Sequence, residues 1–378
     1  MAKRGYYILL ILLSISLFFI QSARAEHFNY NELKKQNNMK RPQEPQRPFP
    51  YSEEQVSFKS LNEDIILNGT LTLPEPEGLF PVVIMISGSG PQNRDEEIVG
   101  HKPFLVISDY LTRSGIAVLR FDDRGLGESL QEYFNNYTAE DFVNDVSGAV
   151  EFLKTQKTID ITNIGLLGHS EGANIASMVA SRRNDISFII LFAGAGLTGE
   201  EIMLSQYKLI FEAQGMKQSK INKQISFFQS VFKIVKTQQD NNIAIKDIEL
   251  AFESHISKIN LFNKRKFKQL SSIYLSPWMR FFIIHNPSTD LRLVKCPVLA
   301  LIGELDIQVP SKENIIAIKK ALEEGGNPDF TALEIPNVNH LFQNAKTGNI
   351  TDYRKIKETI APEALDIIEK WISERVVK

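Results

Sequence analysis

The sequence predicts an α/β fold, with a mostly parallel central sheet, helices on both faces and an inserted helical cap. Three observations carry that expectation. From residue 81 onward, short continuous apolar runs alternate with helix-like segments, as in sheets buried on both faces. After Gly199 the alternation stops and charged, Gln/Lys-rich helical sequence takes over without a convincing strand. At Val298 the strand pattern resumes.

The elements follow in order. "QVSFKS" and "IILNGTLTLP" alternate or are rich in β-branched residues, and read as a leading hairpin. "PVVIMIS" (81–87) is an apolar strand, followed by a helix from Pro103 to Ser114. "IAVLRFD" (116–122) is a strand and Ala139 to Thr155 a helix. Ile164 to Gly168 is a strand, Gly172 to Ala180 a helix, and "SFIILFAG" (187–194) a strand. "VLALIGELD" (298–306) and "FTALEIP" (330–336) are the last strands, each followed by a helix, at Glu313 to Leu322 and Pro362 to Arg375. Residues 51–199 and 288–378 thus form one α/β core, interrupted by a helical insertion over 200–287. Placed over the carboxyl ends of the strands, such an insertion would form a lid where ligands bind.

Composition narrows the function classes. A chain of 378 residues with 43% hydrophobic and 23% charged content is that of an ordinary globular protein. A net charge of -2 gives no basic footprint for nucleic acid. Lys3 and Arg4, the apolar run Tyr6 to Ile20, and Ala23-Arg24-Ala25 form a signal-peptide pattern, with cleavage expected after Ala25. The run is shorter than the roughly 20 residues that span a bilayer, so a cleaved signal is favoured over a retained anchor, with no stable membrane partner afterwards. Residues 26–50, with "MKRPQEPQRPFPY", read as a proline-rich extended arm. Cys296 is the sole cysteine, so no intramolecular disulfide is possible. An exported, disulfide-free protein of this size fits a bacterial periplasm. Nothing in the sequence specifies an oligomeric state.

At the joint of an apolar strand and a helix stands Gly168-His169-Ser170-Glu171-Gly172. A serine between two glycines there matches a nucleophile elbow, in which small residues relieve a crowded strand-to-helix turn. A serine hydroxyl needs a base, and histidine in turn needs a carboxylate to fix its tautomer. Asp306 follows the strand that begins at Val298, with Glu304 a rival two residues earlier. His340 follows the strand 330–336. Of the other histidines, His101 precedes Ser170 and stands in the wrong order, and His169 is the serine's own neighbour, pointing away from its face. An oxyanion site calls for two backbone N–H groups. Glu171 supplies one, and the glycine-rich "ISGSGPQNRDE" the other, with Ser89 preferred and Gly88 the neighbouring choice. Asp122, Asp123 and Arg124 in "FDDRGLGES" read as braces beneath the site rather than as catalytic groups. Trp278, with Phe281 and Phe282, reads either as packing where the insertion returns to the core or as an apolar wall of an acyl pocket. No His/Cys/Asp/Glu cluster has metal-ligand spacing, and no metal is expected.

With these residues assembled, the chain resembles the α/β-hydrolase superfamily, and within it the bacterial exported carboxylesterases whose oxyanion loop reads GSGPQxRDE. Gly88 to Glu96 matches that loop, and Gly168 to Gly172 matches the elbow. Ala173 stands where relatives often carry another glycine. The similarity continues through Asp306, His340 and Pro277-Trp278 and spans residues 50 to 375. It implies a small-molecule ester substrate with short acyl groups, no cofactor and a helical cap. A peptidase on short peptides and a non-catalytic binding protein are the competing readings; the latter would be expected to lack a triad member or an elbow glycine.

Overall fold

The computed structural model describes residues 41–128, 130–255 and 271–376. The expected signal peptide and residues 26–40 of the arm lie outside the described residues. In chain order the strands are β1 (Ser52–Lys59), β2 (Ile66–Leu73), β3 (Phe80–Ile86), β4 (Ala117–Phe121), β5 (Ile159–His169), β6 (Phe188–Phe192), β7 (Val298–Gly303) and β8 (Phe330–Ile335). The helices named here are α1 (Pro103–Arg113), α2 (Leu130–Asn136), α3 (Ala139–Leu153), α4 (Glu171–Arg182), α5 (Gly199–Ala213), α6 (Gln218–Thr237), α7 (Asn241–His255), α8 (Pro277–Ile284), α9 (Pro287–Leu291), α10 (Ser311–Glu324) and α11 (Pro362–Val376). They divide between two compact units.

The first unit holds the described parts of Asn29–Gly127, Glu140–Leu197 and Asn286–Lys378. Its eight strands form one sheet in the order β1-β2-β4-β3-β5-β6-β7-β8. The hairpin β1–β2 is antiparallel, from Ser52 opposite Leu73 to Lys59 opposite Ile66, and β2 also runs antiparallel to β4. From β4 through β8 every neighbouring pair is parallel. Every residue of β4, β6 and β7 is buried, whereas β1, at the sheet edge, is largely exposed. That contrast is why the central strands read as continuous apolar runs. Val83, Leu167, Ile190 and Leu299 of the sheet pack with Ile107 and Leu111 of α1 and Ile368 and Trp371 of α11 in one core.

Two expectations change here. β5 begins at Ile159, not Ile164, because its first part carries Asp160, Thr162 and Asn163, whose side chains bond one another and hide the strand from an apolar pattern. The described part of the proline-rich arm, residues 41–50, has no regular element, but it is tied down. Arg41 donates to the carbonyls of Val99 and Gly100, each at 3.2 Å, and to Ile356. Gln43 donates to the Ile360 carbonyl at 2.6 Å and accepts from Thr359 and Ile360 N–H.

His101 sits in the same neighbourhood, 1% exposed, with Nδ1 3.0 Å from Thr359 Oγ1 and Nε2 3.1 Å from the Tyr353 carbonyl. Burial, helped by the Arg41 charge, pulls its pKa from 6.5 down to about 4. The folded state therefore binds fewer protons than the unfolded state between those values. The contribution is fully present above the unfolded pKa and is lost as pH falls toward 4. In His101→Gln the fall in stability between pH 6.5 and 4 should be shallower than in wild type when followed by urea unfolding; equal slopes would contradict this.

The second unit is helical among its described residues and draws on two stretches, Glu128–Ala139 and Thr198–His285. The sequence expectation was a single insertion over 200–287, with no element at 130–136. The short α2 lacks a strand-like or long periodic pattern, yet its Phe134 ring lies 4.7 Å from the Trp278 ring. Thr198 starts α5 through a capping box with Glu201, a signal present in the sequence as T-x-x-E. Tyr207, Phe228 and Phe232 fill the interior, where the Tyr207 and Tyr274 hydroxyls meet at 3.1 Å. The Arg280 guanidinium donates to the Val235 and Gln238 carbonyls at the end of α6, as a cation at a helix C-terminus should. No helix among the described residues is long and apolar enough to cross a membrane.

Candidate active site

Ser170 lies between the last residue of β5 and the first of α4, at φ 54° and ψ -117°. A positive φ is costly for a residue with a Cβ and survives only where surroundings impose it. Here the Ser170 N–H donates to the Phe192 carbonyl at 2.8 Å, and the Ser170 carbonyl accepts from Ala173 N–H at 3.1 Å. Both elbow glycines are required by close backbone approach. A Cβ on Gly168 would collide with the Gly172 carbonyl, and one on Gly172 with the carbonyls of Ile86 and Ser87. Ala173 fits in place of a further glycine because residue 194 has no side chain: a Cβ there would lie 2.7 Å from that of Ala173.

The loop after β3 is braced from beneath. Asp123 accepts from Ser87 Oγ at 2.7 Å and from Gln92 N–H at 3.0 Å. Asp122 accepts from the Arg94 backbone at 2.8 Å and from its guanidinium. This is the bracing role expected of both aspartates. Arg124 serves elsewhere, bonding Ser60, Glu63 and Asp145.

Gly88 abuts the elbow: a Cβ on it would lie 3.3 Å from Ser170 Cβ. Its N–H, however, donates to Glu96 Oε1 at 2.8 Å. Ser89 N–H has no acceptor among the described residues, so of the two neighbouring choices it is the donor left for an oxyanion. Glu171 N–H is the first of α4, where amides point out of the helix and carry its positive end.

Asp306 follows β7, and His340 follows β8. Asp306 Oδ1 accepts from Gln308 and Val309 N–H, both at 2.8 Å, which leaves Oδ2 to meet His340 Nδ1 at 2.7 Å. Both residues are 3% exposed. The rival Glu304 is exposed and accepts instead from Asn337 N–H at 2.9 Å. Asn339 fixes the histidine's loop by accepting from Leu341 and Gln343 N–H.

Two residues given no role by the sequence join these segments. His169 Nδ1 lies 2.8 Å from Glu96 Oε1 and its Nε2 3.1 Å from the His340 carbonyl. Burial lowers the His169 pKa, but the charge and hydrogen bond of Glu96 outweigh it and the net shift is upward. Glu96 closes the GSGPQNRDE run and His169 opens the G-H-S run, so both were in view as motif letters without a partner. Trp278 is placed inside the helical unit, 2% exposed, stacked on Phe282 at 5.3 Å and tilted on Phe134. This is a packing position. Among the described residues no group of three or more His, Cys, Asp or Glu side chains could hold a metal ion.

A strained serine between glycines, a carboxylate-oriented imidazole and outward amides are the parts of an acyl-transfer site. Comparisons with known proteins agree with that chemistry. Residues 103–253, which include Ser170 but stop before Asp306 and His340, match the family described as serine aminopeptidase, S33. The esterase EstD of Thermotoga maritima is 26% identical over 321 residues, covering 82% of this chain and 67% of that protein. An esterase structure from Pyrococcus furiosus superimposes with a TM-score of 0.50 at 15% identity, over 86% of this chain and 91% of that one. The acylaminoacyl peptidase of Pyrococcus horikoshii also gives 0.50 at 15% identity over 87% of this chain, which spans only 42% of the peptidase. The strand order, the elbow and these likenesses give the chain the α/β-hydrolase fold.

Proposed function

We propose that this chain is a serine hydrolase that cleaves short-chain acyl esters through an acyl-enzyme on Ser170. The observation that carries the reading is the Asp306–His340 pair, set at the ends of adjacent strands in the sheet whose β5 ends at the Ser170 elbow. His340 Nε2 takes the serine proton as Oγ attacks the ester carbonyl, and Asp306 holds the opposite ring nitrogen and stabilises the imidazolium. The Ser89 and Glu171 N–H groups receive the oxyanion. Collapse expels the alcohol, which leaves with the proton from His340. Water then enters, gives its proton to His340 and releases the acid by the same steps in reverse.

The likeness to EstD supports the ester bond. The S33 description favours a second reading, a peptidase acting on short peptides. An aminopeptidase needs a carboxylate for the substrate amine, and Glu96, a buried acid bonded to the elbow's His169, is already engaged by that residue and Gly88. The Ala-x-Ala run at 23–25 supports export with removal of residues 1–25. The test is turnover of p-nitrophenyl acyl esters from acetate to palmitate beside the matching p-nitroanilides, by wild type and Ser170→Ala. Faster turnover of anilides than esters would replace the esterase reading with the peptidase one.

A further inference from the structure

The buried pair Glu96–His169 lies outside the proposed triad, yet it touches the oxyanion loop, the elbow and the His340 loop. Glu96 is 1% exposed and His169 4% exposed. Glu96 Oε1 accepts both from Gly88 N–H in the oxyanion loop and from His169 Nδ1. His169 precedes the nucleophile, and its Nε2 bonds the backbone carbonyl of His340 at 3.1 Å. The two imidazole rings stand 5.0 Å apart. A carboxylate and a carbonyl can only accept, so both His169 nitrogens donate, and the ring bridges two acceptors that belong to different loops.

We propose that Glu96 and His169 are positioning residues that lock the oxyanion loop and the His340 loop to the Ser170 elbow. This inference rests on the reading of Ser170 and His340 as nucleophile and base. By taking the Gly88 N–H, Glu96 turns that amide away from the oxyanion and leaves Ser89 to face it. By holding the His340 carbonyl, His169 fixes the backbone from which the imidazole is suspended. Misplacement by about 1 Å at such a site costs on the order of a hundredfold in rate.

The substitutions separate geometry from charge. Glu96→Gln keeps an oxygen where Oε1 accepts both bonds, whereas Glu96→Ala removes both. In Glu96→Ala, kcat on p-nitrophenyl acetate should fall about 100-fold with KM changed less than about threefold. Glu96→Gln should recover to within about fivefold of wild type. The double variant Glu96→Gln/His169→Phe carries no charge in the pair, keeps the Gly88 bond and the ring volume, and loses both imidazole bonds, to residue 96 and to the His340 carbonyl. It should lie at least about tenfold below Glu96→Gln in kcat. Its downfield proton resonance for the His340–Asp306 bond should also shift or broaden relative to wild type. That signature would not move if the pair were merely structural, and the double variant serves should Glu96→Ala fail to fold.

A folded Glu96→Ala with kcat within threefold of wild type overturns the inference, as does a Glu96→Gln no better than Glu96→Ala. If Glu96→Ala does not fold, a double variant matching Glu96→Gln in kcat, with the resonance unmoved, overturns it too. If wild type is inactive, or Ser170→Ala retains full turnover, the reading of the site itself fails, and this inference with it.

Discussion

Asp306→Asn should lower kcat about 10⁴-fold, while Glu304→Gln should stay within about threefold of wild type. Two acidic residues stand two apart after β7, and only one faces the histidine. Asp306 is held by two backbone amides and presents its remaining oxygen to His340 Nδ1 at 2.7 Å. An asparagine there can turn its amide toward the ring, which then holds the wrong tautomer and offers Ser170 no base. Glu304 is exposed and only receives the Asn337 N–H, so its neutral amide keeps that bond. Steady-state kinetics on one p-nitrophenyl ester, with unfolding midpoints to show that both variants fold, decides the matter. The reverse ranking would move the acid to Glu304.

Arg124→Ala should cost about 3–5 kcal/mol of folding stability, the range for breaking a buried ion pair from one side. The side chains of Arg124 and Asp145 are 2% and 1% exposed and meet at 2.5 Å. The same guanidinium reaches Ser60 at 3.0 Å and Glu63 at 3.1 Å, tying the β1–β2 turn to α3. Burial already lifts the Asp145 carboxyl above its usual range even beside Arg124. Without the guanidinium the folded state must bury that charge alone or protonate it. A carboxyl pKa raised further in the folded state makes the variant lose stability as pH rises, because the unfolded chain releases its proton first. The loss measured by urea unfolding should therefore be larger at pH 8 than at pH 5. The double change Arg124→Met/Asp145→Asn should recover part of it. A single variant within 1 kcal/mol of wild type, or a loss independent of pH, would contradict this account of the pair.

The strands that form the middle of the sheet were legible because they are buried on both faces. "PVVIMI", "FIILFAG" and "VLALIG" have no polar residue to interrupt the pattern, and β3, β6 and β7 fall on them. The start of β5 was hidden by the polar Asp160-Ile161-Thr162-Asn163. The helix α2 was hidden for another reason: seven residues hold too few turns to show a period, and its place with the helical unit depends on Phe134 meeting Trp278. At the site, chain order and strand ends singled out Ser170, Asp306 and His340, because the chemistry demands those residue types. The sequence preferred Ser89 to Gly88 without the reason that the structure offers for it, the capture of the Gly88 N–H by Glu96. The Glu96–His169 bridge spans 73 positions and joins residues with no required spacing, so only the fold brings it to view.

The most direct test of the central claim is the turnover of p-nitrophenyl acyl esters by the protein from Glu26 onward, beside its Ser170→Ala variant. The account predicts turnover greatest at the short-chain end of the series, and a fall of about 10⁶-fold in kcat when the serine is replaced. Hydrolysis that survives unchanged in a folded Ser170→Ala variant would contradict it.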